Sequence, residues 1–475
     1  MEKIKFDFNN MLSSSVGDKH GVSESDLSEA SGLASRAQQH LSALINNPAT
    51  RIKVGLEWVR LPFQAKSEIR QIQESGNEIA KKYENVIFLG IGGSYLGLKA
   101  AQEALCLPYY NEFSALRKGR PKVYFEGNNF DPDTLHALLK NLNPKKTFAV
   151  VISKSGETTE TKAAFTVIEA WLKKTIGAKF GRQIIAITDS ESGSLRKRVE
   201  AEHKQDKLSF RSLPLLKGVG GRFSGFNMGL LHLAITGMSI QDVLDGAAQM
   251  YQQCLEPDIL KNPACMYALL HTVLYRKKGK DIAVMMPFAE TLKSTADWYV
   301  QLLAESLGKK YNRKGEVVNV GRTPVAARGT NDLHSIQQNN SEGENNKVIT
   351  FIRVEKFKSE VKIQAKGDFL SGKFFSELIK LAQEATEWAL VQEERPNCTI
   401  VMPEVSPFYW GALLFFFEMA TAFEGELLDV NAFDQQGVEG YKNYMYYKLG
   451  KSGLAPEICE KIKNNPLVKD NRFII

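Results

Sequence analysis

The stretch "VVISKSGETTET" at 150–161 breaks a run of apolar and β-branched residues and follows it at once with hydroxyls, one lysine and one glycine. Ser153, Lys154, Ser155, Thr158 and Thr159 offer hydroxyl and ammonium donors, and Gly156 lets the backbone come close to a ligand. A helix starting here would add free N–H groups and partial positive charge, together a seat for a phosphate. The same residues suit an ordinary N-cap, and Glu157 opposes an anion unless it points away. A second loop, "GIGGSYLG" at 90–97, presents Gly93 and Ser94 after another apolar run. It is not a dinucleotide fingerprint, because Tyr95 stands where the third glycine is needed, and not a Walker loop, because Leu98 follows Gly97. Two polar, glycine-bearing loops suit a small phosphomonoester better than a nucleotide.

Three further positions carry groups for acid–base or anion chemistry, and each has a plainer alternative. In "VGGRFSG" (219–225) Arg222 follows paired glycines, as it would in a surface turn. In "QLLAESLGK" (301–309) Glu305 falls near the end of an expected helix, where solvated carboxylates are common. In "GTNDLHSIQQ" (329–338) His334 follows a glycine and an N-cap residue, as a structural histidine would.

The elements that must position these groups are legible. Leu27, Ala30, Ala34, Ala37, Leu41, Leu44 and Ile45 recur near helical spacing, as do Ile69, Ile72 and Ile79, so residues 1–84 read as a helical arm. "NVIFLGIGG" (85–93), "KVYFEGNN" (122–129), "TFAVVISKSGE" (147–157) and "RQIIAITDS" (182–190) read as strands separated by helical stretches. That alternation means a parallel α/β sheet, whose ligands sit beyond the carboxyl ends of strands, where both loops fall. "DIAVMMPF" (281–288), "KVITFIRVE" (347–355) and "NCTIVMPE" (397–404) repeat the pattern, with a helix over 295–310. The segments are therefore a helical arm at 1–84, a first α/β domain at 85–212, a second at 213–430, and a C-terminal segment and helical tail at 431–475. "NNSEGENNK" (339–347) reads as an exposed loop.

A chain of 475 residues exceeds one ordinary core, and a net charge of +7 without a dense basic run gives no reason to expect nucleic acid. Five scattered cysteines without a C-x-x-C read as reduced, mostly buried thiols of a cytoplasmic protein. No Cys/His cluster suggests a metal, and no cofactor is expected. The start of the chain lacks a signal-peptide apolar region, and "WGALLFFF" (410–417) is too short to span a membrane and reads as a buried helix.

Taken together, "GIGGSYLG", "ISKSGETTE", "GVGGRFS", "QLLAESLGK", "GTNDLHS" and "NAFDQQGVEGYK" occur in one order between residues 88 and 442. In that order they resemble the glucose-6-phosphate isomerase (phosphoglucose isomerase) family. The resemblance implies two flavodoxin-like, parallel-sheet sugar-isomerase (SIS) domains with helical N- and C-terminal extensions. It also implies a homodimer whose active site is shared between subunits, with no cofactor, metal, nucleic acid or membrane. The implied reaction is the interconversion of glucose 6-phosphate and fructose 6-phosphate in glycolysis and gluconeogenesis. By the same resemblance Glu305 is the base, His334 opens the sugar ring, and Arg222 faces the reacting carbons. Lys442 and Gln435 match the lysine and leading glutamine of the "Q-x-G-V-E-x-x-K" motif. The resemblance further implies that Gly93, Ser94, Ser153, Lys154, Ser155, Thr158 and Gln301 bind substrate or its phosphate. In this family the histidine comes from the neighbouring subunit. Glu157 departs from the threonine many relatives carry, which bears on phosphate affinity.

Aldose–ketose exchange proceeds by hydride shift, usually with a metal, or by proton abstraction through a cis-enediolate. With no metal cluster in the sequence, the second route is expected. It needs a carboxylate over the reacting carbons and a fixed cation for the enediolate oxygen, roles that fit Glu305 and Arg222. The rival readings are an isomerase acting on another sugar phosphate, such as a mannose phosphate, and a non-catalytic sugar-phosphate-binding regulator with the same domains.

Overall fold

The computed structural model describes residues 2–475. The chain divides into two units, one running through Phe433 and the other spanning Asp434–Ile475.

The larger unit opens with β1 (Lys5–Asp7), then helices including Glu24–Asn46, which starts with a reciprocal cap between Ser23 and Asp26. The arm read as helical thus also lends a strand. The first sheet comprises β2 (Asn85–Leu89), β3 (Lys122–Glu126), β4 (Thr147–Ile152), β5 (Ile184–Asp189) and β6 (Arg211–Leu215), all parallel, in the order β3-β2-β4-β5-β6. Val86, Phe88, Val150 and Ile152 pack on one face, and Ile87, Leu89, Ala149 and Val151 on the other. Both faces are covered, which is why these strands read as continuous apolar runs. Each fully buried Val, Ile, Leu or Phe side chain contributes about 1.5–3 kcal/mol.

The order reverses between β2 and β4, since β2 leads outward to β3 while β4 starts the other wing. A crevice opens at such a switch point beyond the carboxyl ends of the strands. The loops at 90–95 and 153–158 leave those two strands.

The second sheet contains β7 (Ile282–Pro287); a hairpin of β8 (Lys309–Tyr311) and β9 (Val317–Val320) stands apart from it. With β10 (Thr323–Ala326), β11 (Lys347–Lys356) and β12 (Asn397–Glu404), the sheet order is β1-β12-β11-β7-β10. Its parallel strands repeat the first sheet's winding, and β1 closes the far edge antiparallel to β12. The "WGALLFFF" run lies in the buried helix Pro407–Leu427. No helix among the described residues is long and apolar enough to cross a membrane. Four of the five cysteines are buried free thiols, and Cys459 is partly exposed. The segment read as an exposed loop at 339–347 instead begins inside the helix Gln337–Glu342, with Asn340 buried, and ends at buried Lys347.

The smaller unit holds helices Glu439–Lys448 and Pro456–Asn464.

Candidate active site

β4 ends at Ile152, and the helix Thr159–Ile176 begins just after the polar loop. Gly156 has φ +78° there, and a Cβ on it would lie 2.5 Å from the backbone nitrogen of Leu195, so only glycine fits without displacement. Ser153 Oγ accepts from the Gly156 amide at 3.0 Å, and Ser155 Oγ accepts from the Glu157 amide at 3.1 Å. The Ser155 carbonyl accepts from the Ser194 amide at 2.8 Å, and the Lys154 carbonyl from the Thr188 hydroxyl at 3.2 Å. The loop is therefore braced from β5 and from the start of the helix Ser194–Gln205. Thr158 occupies the N-cap position without a side-chain cap bond, so the ordinary N-cap reading does not account for its hydroxyl.

Charge at this loop is sorted. Glu157 pairs with Lys162 at 3.3 Å. The Asp189 carboxyl, behind the loop, lies below its ordinary pKa because the amides of Glu191 and Ser192 donate to it at 2.9 Å. The Lys154 side chain is exposed.

The glycine loop links the switch-point crevice to the acid–base groups. A Cβ on Gly93 would lie 2.0 Å from the carbonyl carbon of Gly221 and 2.5 Å from the Arg222 nitrogen, so the two glycine turns touch backbone to backbone. Gly92, at φ +56°, comes so near Gln301 that an added Cβ would lie 2.9 Å from its Nε2. Ser94 Oγ donates to the Met228 sulfur at 3.4 Å.

Glu305 sits near the end of the helix Lys293–Leu307. Its Oε1 accepts from Gln301 Nε2 at 3.1 Å and its Oε2 from Arg222 Nη1 at 3.3 Å. The Glu305 side chain is 29% exposed, whereas that of Arg222 is 1% exposed. A buried guanidinium requires acceptors, and Arg222 has them: Nε donates to Ser306 Oγ at 2.7 Å and Nη2 to the Ala432 carbonyl at 2.7 Å. Lys309 Nζ donates to the Glu305 carbonyl at 3.0 Å, satisfying the end of the helix. The surface-turn alternative for Arg222 fails, and Glu305 is not a solvated helix carboxylate. The arrangement sets one reachable carboxylate against a fixed cation, packed on the glycine loop that leaves β2. It can move a proton at a carbon while holding negative charge on a neighbouring oxygen.

Not every expected residue joins this cluster. His334 ends the turn Asn331–His334, is exposed, and is not among the partners of Glu305 and Arg222 named above. The turn is ordered by Asp332, which accepts from the Arg328 amide at 2.8 Å and the Ser335 hydroxyl at 3.0 Å. Gln435 and Lys442 belong to the smaller unit, where Lys442 Nζ meets Glu439 at 2.8 Å. Burial acts to lower the Lys442 pKa, but Glu439 together with Tyr441 and Tyr446 outweighs it and the net shift is upward. Ser306 and Ala432 escaped the sequence reading although both lie inside quoted motifs. Ser306 adjoins Glu305, and Ala432 acts through a backbone carbonyl.

A model of the phosphoglucose isomerase family matches residues 35–469. The chain is 40% identical over 479 residues to a glucose-6-phosphate isomerase of Carboxydothermus hydrogenoformans, covering 99% of each. It is 36% identical to one of Symbiobacterium thermophilum, covering 85% of this chain and 88% of that protein. Among solved structures it superposes on a hypothetical protein of Thermus thermophilus with TM-score 0.82 and 31% identity, covering 95% of this chain and all of that one. A Chlamydia trachomatis glucose-6-phosphate isomerase shares the fold, with TM-score 0.72 and 24% identity over 84% of this chain and 76% of that one.

Proposed function

The chain belongs to the phosphoglucose isomerase family, and from that premise we propose how its residues interconvert glucose 6-phosphate and fructose 6-phosphate. The observation that carries the proposal is the Glu305–Arg222 pair, packed against the glycine loop at the mouth of the first sheet. Glu305 takes the proton from C2 of the open aldose and returns it to C1. Arg222 faces the enediolate oxygen as charge develops there. The phosphate rests on the 153–158 loop, assisted by Ser94. Remote binding energy then positions the reacting carbons rather than acting on them. A coupled dehydrogenase assay with fructose 6-phosphate tests the activity, and comparison with mannose 6-phosphate tests the sugar. In deuterated water the glucose 6-phosphate formed is expected to carry deuterium at C2, whereas no turnover on either sugar contradicts the proposal. A sugar-phosphate regulator is not favoured, because the likeness to an isomerase extends over the whole chain.

Lys154 is the loop's exposed cation. Replacing it by Ala removes a charge-assisted contact of about 1.5–3 kcal/mol, so KM for fructose 6-phosphate is expected to rise roughly 10- to 100-fold with a smaller change in kcat. Steady-state kinetics check this, and an unchanged KM would remove the phosphate assignment.

The proposal extends to ring opening by His334 and Lys442, which exchange protons with the ring oxygen and the C1 hydroxyl, and to a substrate contact from Gln435. It also extends to a cytoplasmic homodimer in which His334 serves its partner's site. The exposure of His334 supports that arrangement. Mixing inactive Glu305→Gln and His334→Ala subunits, with exchange, should then restore about a quarter of wild-type activity, because half of the dimers regain one intact site. Mixtures that stay inactive despite subunit exchange would put His334 in its own chain's site.

A further inference from the structure

We infer that Ser306 is a positioning residue for the isomerisation: its hydroxyl holds the Arg222 guanidinium in place during the part of the cycle when Glu305 is protonated. The inference rests on the proposed roles of Glu305 and Arg222.

Glu305 alternates between charged and neutral forms in each turnover. Its carboxylate, 3.3 Å from Arg222 Nη1, attracts the guanidinium only while ionised. The enediolate exists in the other half of the cycle, after the proton has moved to Glu305. If Arg222 depended on Glu305 for its position, the cation would loosen when the developing oxyanion needs it. The structure supplies anchors that do not titrate. Nε carries a single hydrogen in the guanidinium plane, and it is given to Ser306 Oγ at 2.7 Å. Nη2 is tied to the Ala432 carbonyl at 2.7 Å. Two neutral acceptors on different edges of a planar group fix both its plane and its rotation within that plane. Ser306 and Arg222 are both buried, at 0% and 1% exposure, so water does not substitute for the hydroxyl. One helix therefore supplies the base at 305 and, one residue on, the acceptor that keeps the cation aligned with it.

Ser306 touches neither substrate nor reacting atoms on this account, so its effect must pass through Arg222. Ser306→Ala is expected to lower kcat about 10- to 100-fold, in line with a small misplacement of a preorganised group, with KM within about twofold. Ser306→Thr keeps the hydroxyl and is expected to recover most of the loss. In an Arg222→Lys background, which has no Nε–H to anchor, Ser306→Ala should change kcat by about threefold or less. A merely structural serine would give the same loss in both backgrounds, or a lower melting temperature with unchanged kcat, and either result overturns the inference. Should the alanine variant fail to fold, Ser306→Cys, a poorer acceptor of similar size, is compared across the same two backgrounds. A wild-type protein without isomerase activity would instead defeat the functional proposal beneath it.

Discussion

Glu305→Gln is expected to lower kcat for both sugar phosphates by roughly 10⁴-fold, the upper end of what a positioned acid–base group contributes, with affinity nearly unchanged. The substitution preserves shape and removes basicity. It also leaves a bonding pattern the site can satisfy. A glutamine carbonyl at 305 can accept from Arg222 Nη1, and its amide can donate to Gln301 once the Gln301 amide turns over, bringing round the buried Oε1 that has no partner among the described residues. The variant should therefore fold, bind sugar phosphate and stall before proton transfer. Titration of binding beside steady-state kinetics separates the outcomes. Near-normal turnover would remove Glu305 as the base, whereas joint loss of binding and turnover would make its role structural.

Arg222→Lys is expected to lower kcat about 10²- to 10³-fold, although the formal charge is kept. A lysine ammonium has three donors at one point, while Ser306 Oγ, the Ala432 carbonyl and Glu305 Oε2, three of the acceptors around Arg222, are spread around a planar fork. One nitrogen cannot reach all three positions, so the cation loses its fixed place and at least one buried acceptor loses its donor. Activity within about threefold of wild type would mean that charge alone suffices and that the clamp is irrelevant to the barrier.

The central strands were legible because both of their faces are buried. β2 and β4 read as apolar runs for that reason, and the sheet order that puts their loops side by side follows from ordinary parallel winding. The strands that escaped notice lie mostly at sheet edges. β6 is "RSLPL" and β10 is "TPVA", each short, partly exposed and interrupted by proline, which edge positions tolerate. β1 has only "KFD" and is held by pairing with β12 nearly four hundred residues away. No local pattern encodes that partner.

The polar loop and the glycine loop were visible as residue types, but the reason for each glycine was not. Gly93 is demanded by Gly221, and Gly156 by Leu195, contacts made only after folding. Arg222 read alone as a turn residue because two of its anchors are a single hydroxyl and a main-chain carbonyl 210 residues along. A backbone acceptor leaves no signature in residue type. The partner of Glu157, Lys162 five residues on, was likewise not read from residue type.

A crystal structure of the Glu305→Gln variant with fructose 6-phosphate tests the central claim most directly. The prediction is a phosphoryl group seated on 153–158 and the side chain of residue 305 about 3–3.5 Å from C1 and C2, the separation of a near-attack arrangement. A phosphate bound elsewhere, or residue 305 turned to solvent beyond reach of the sugar carbons, would contradict it.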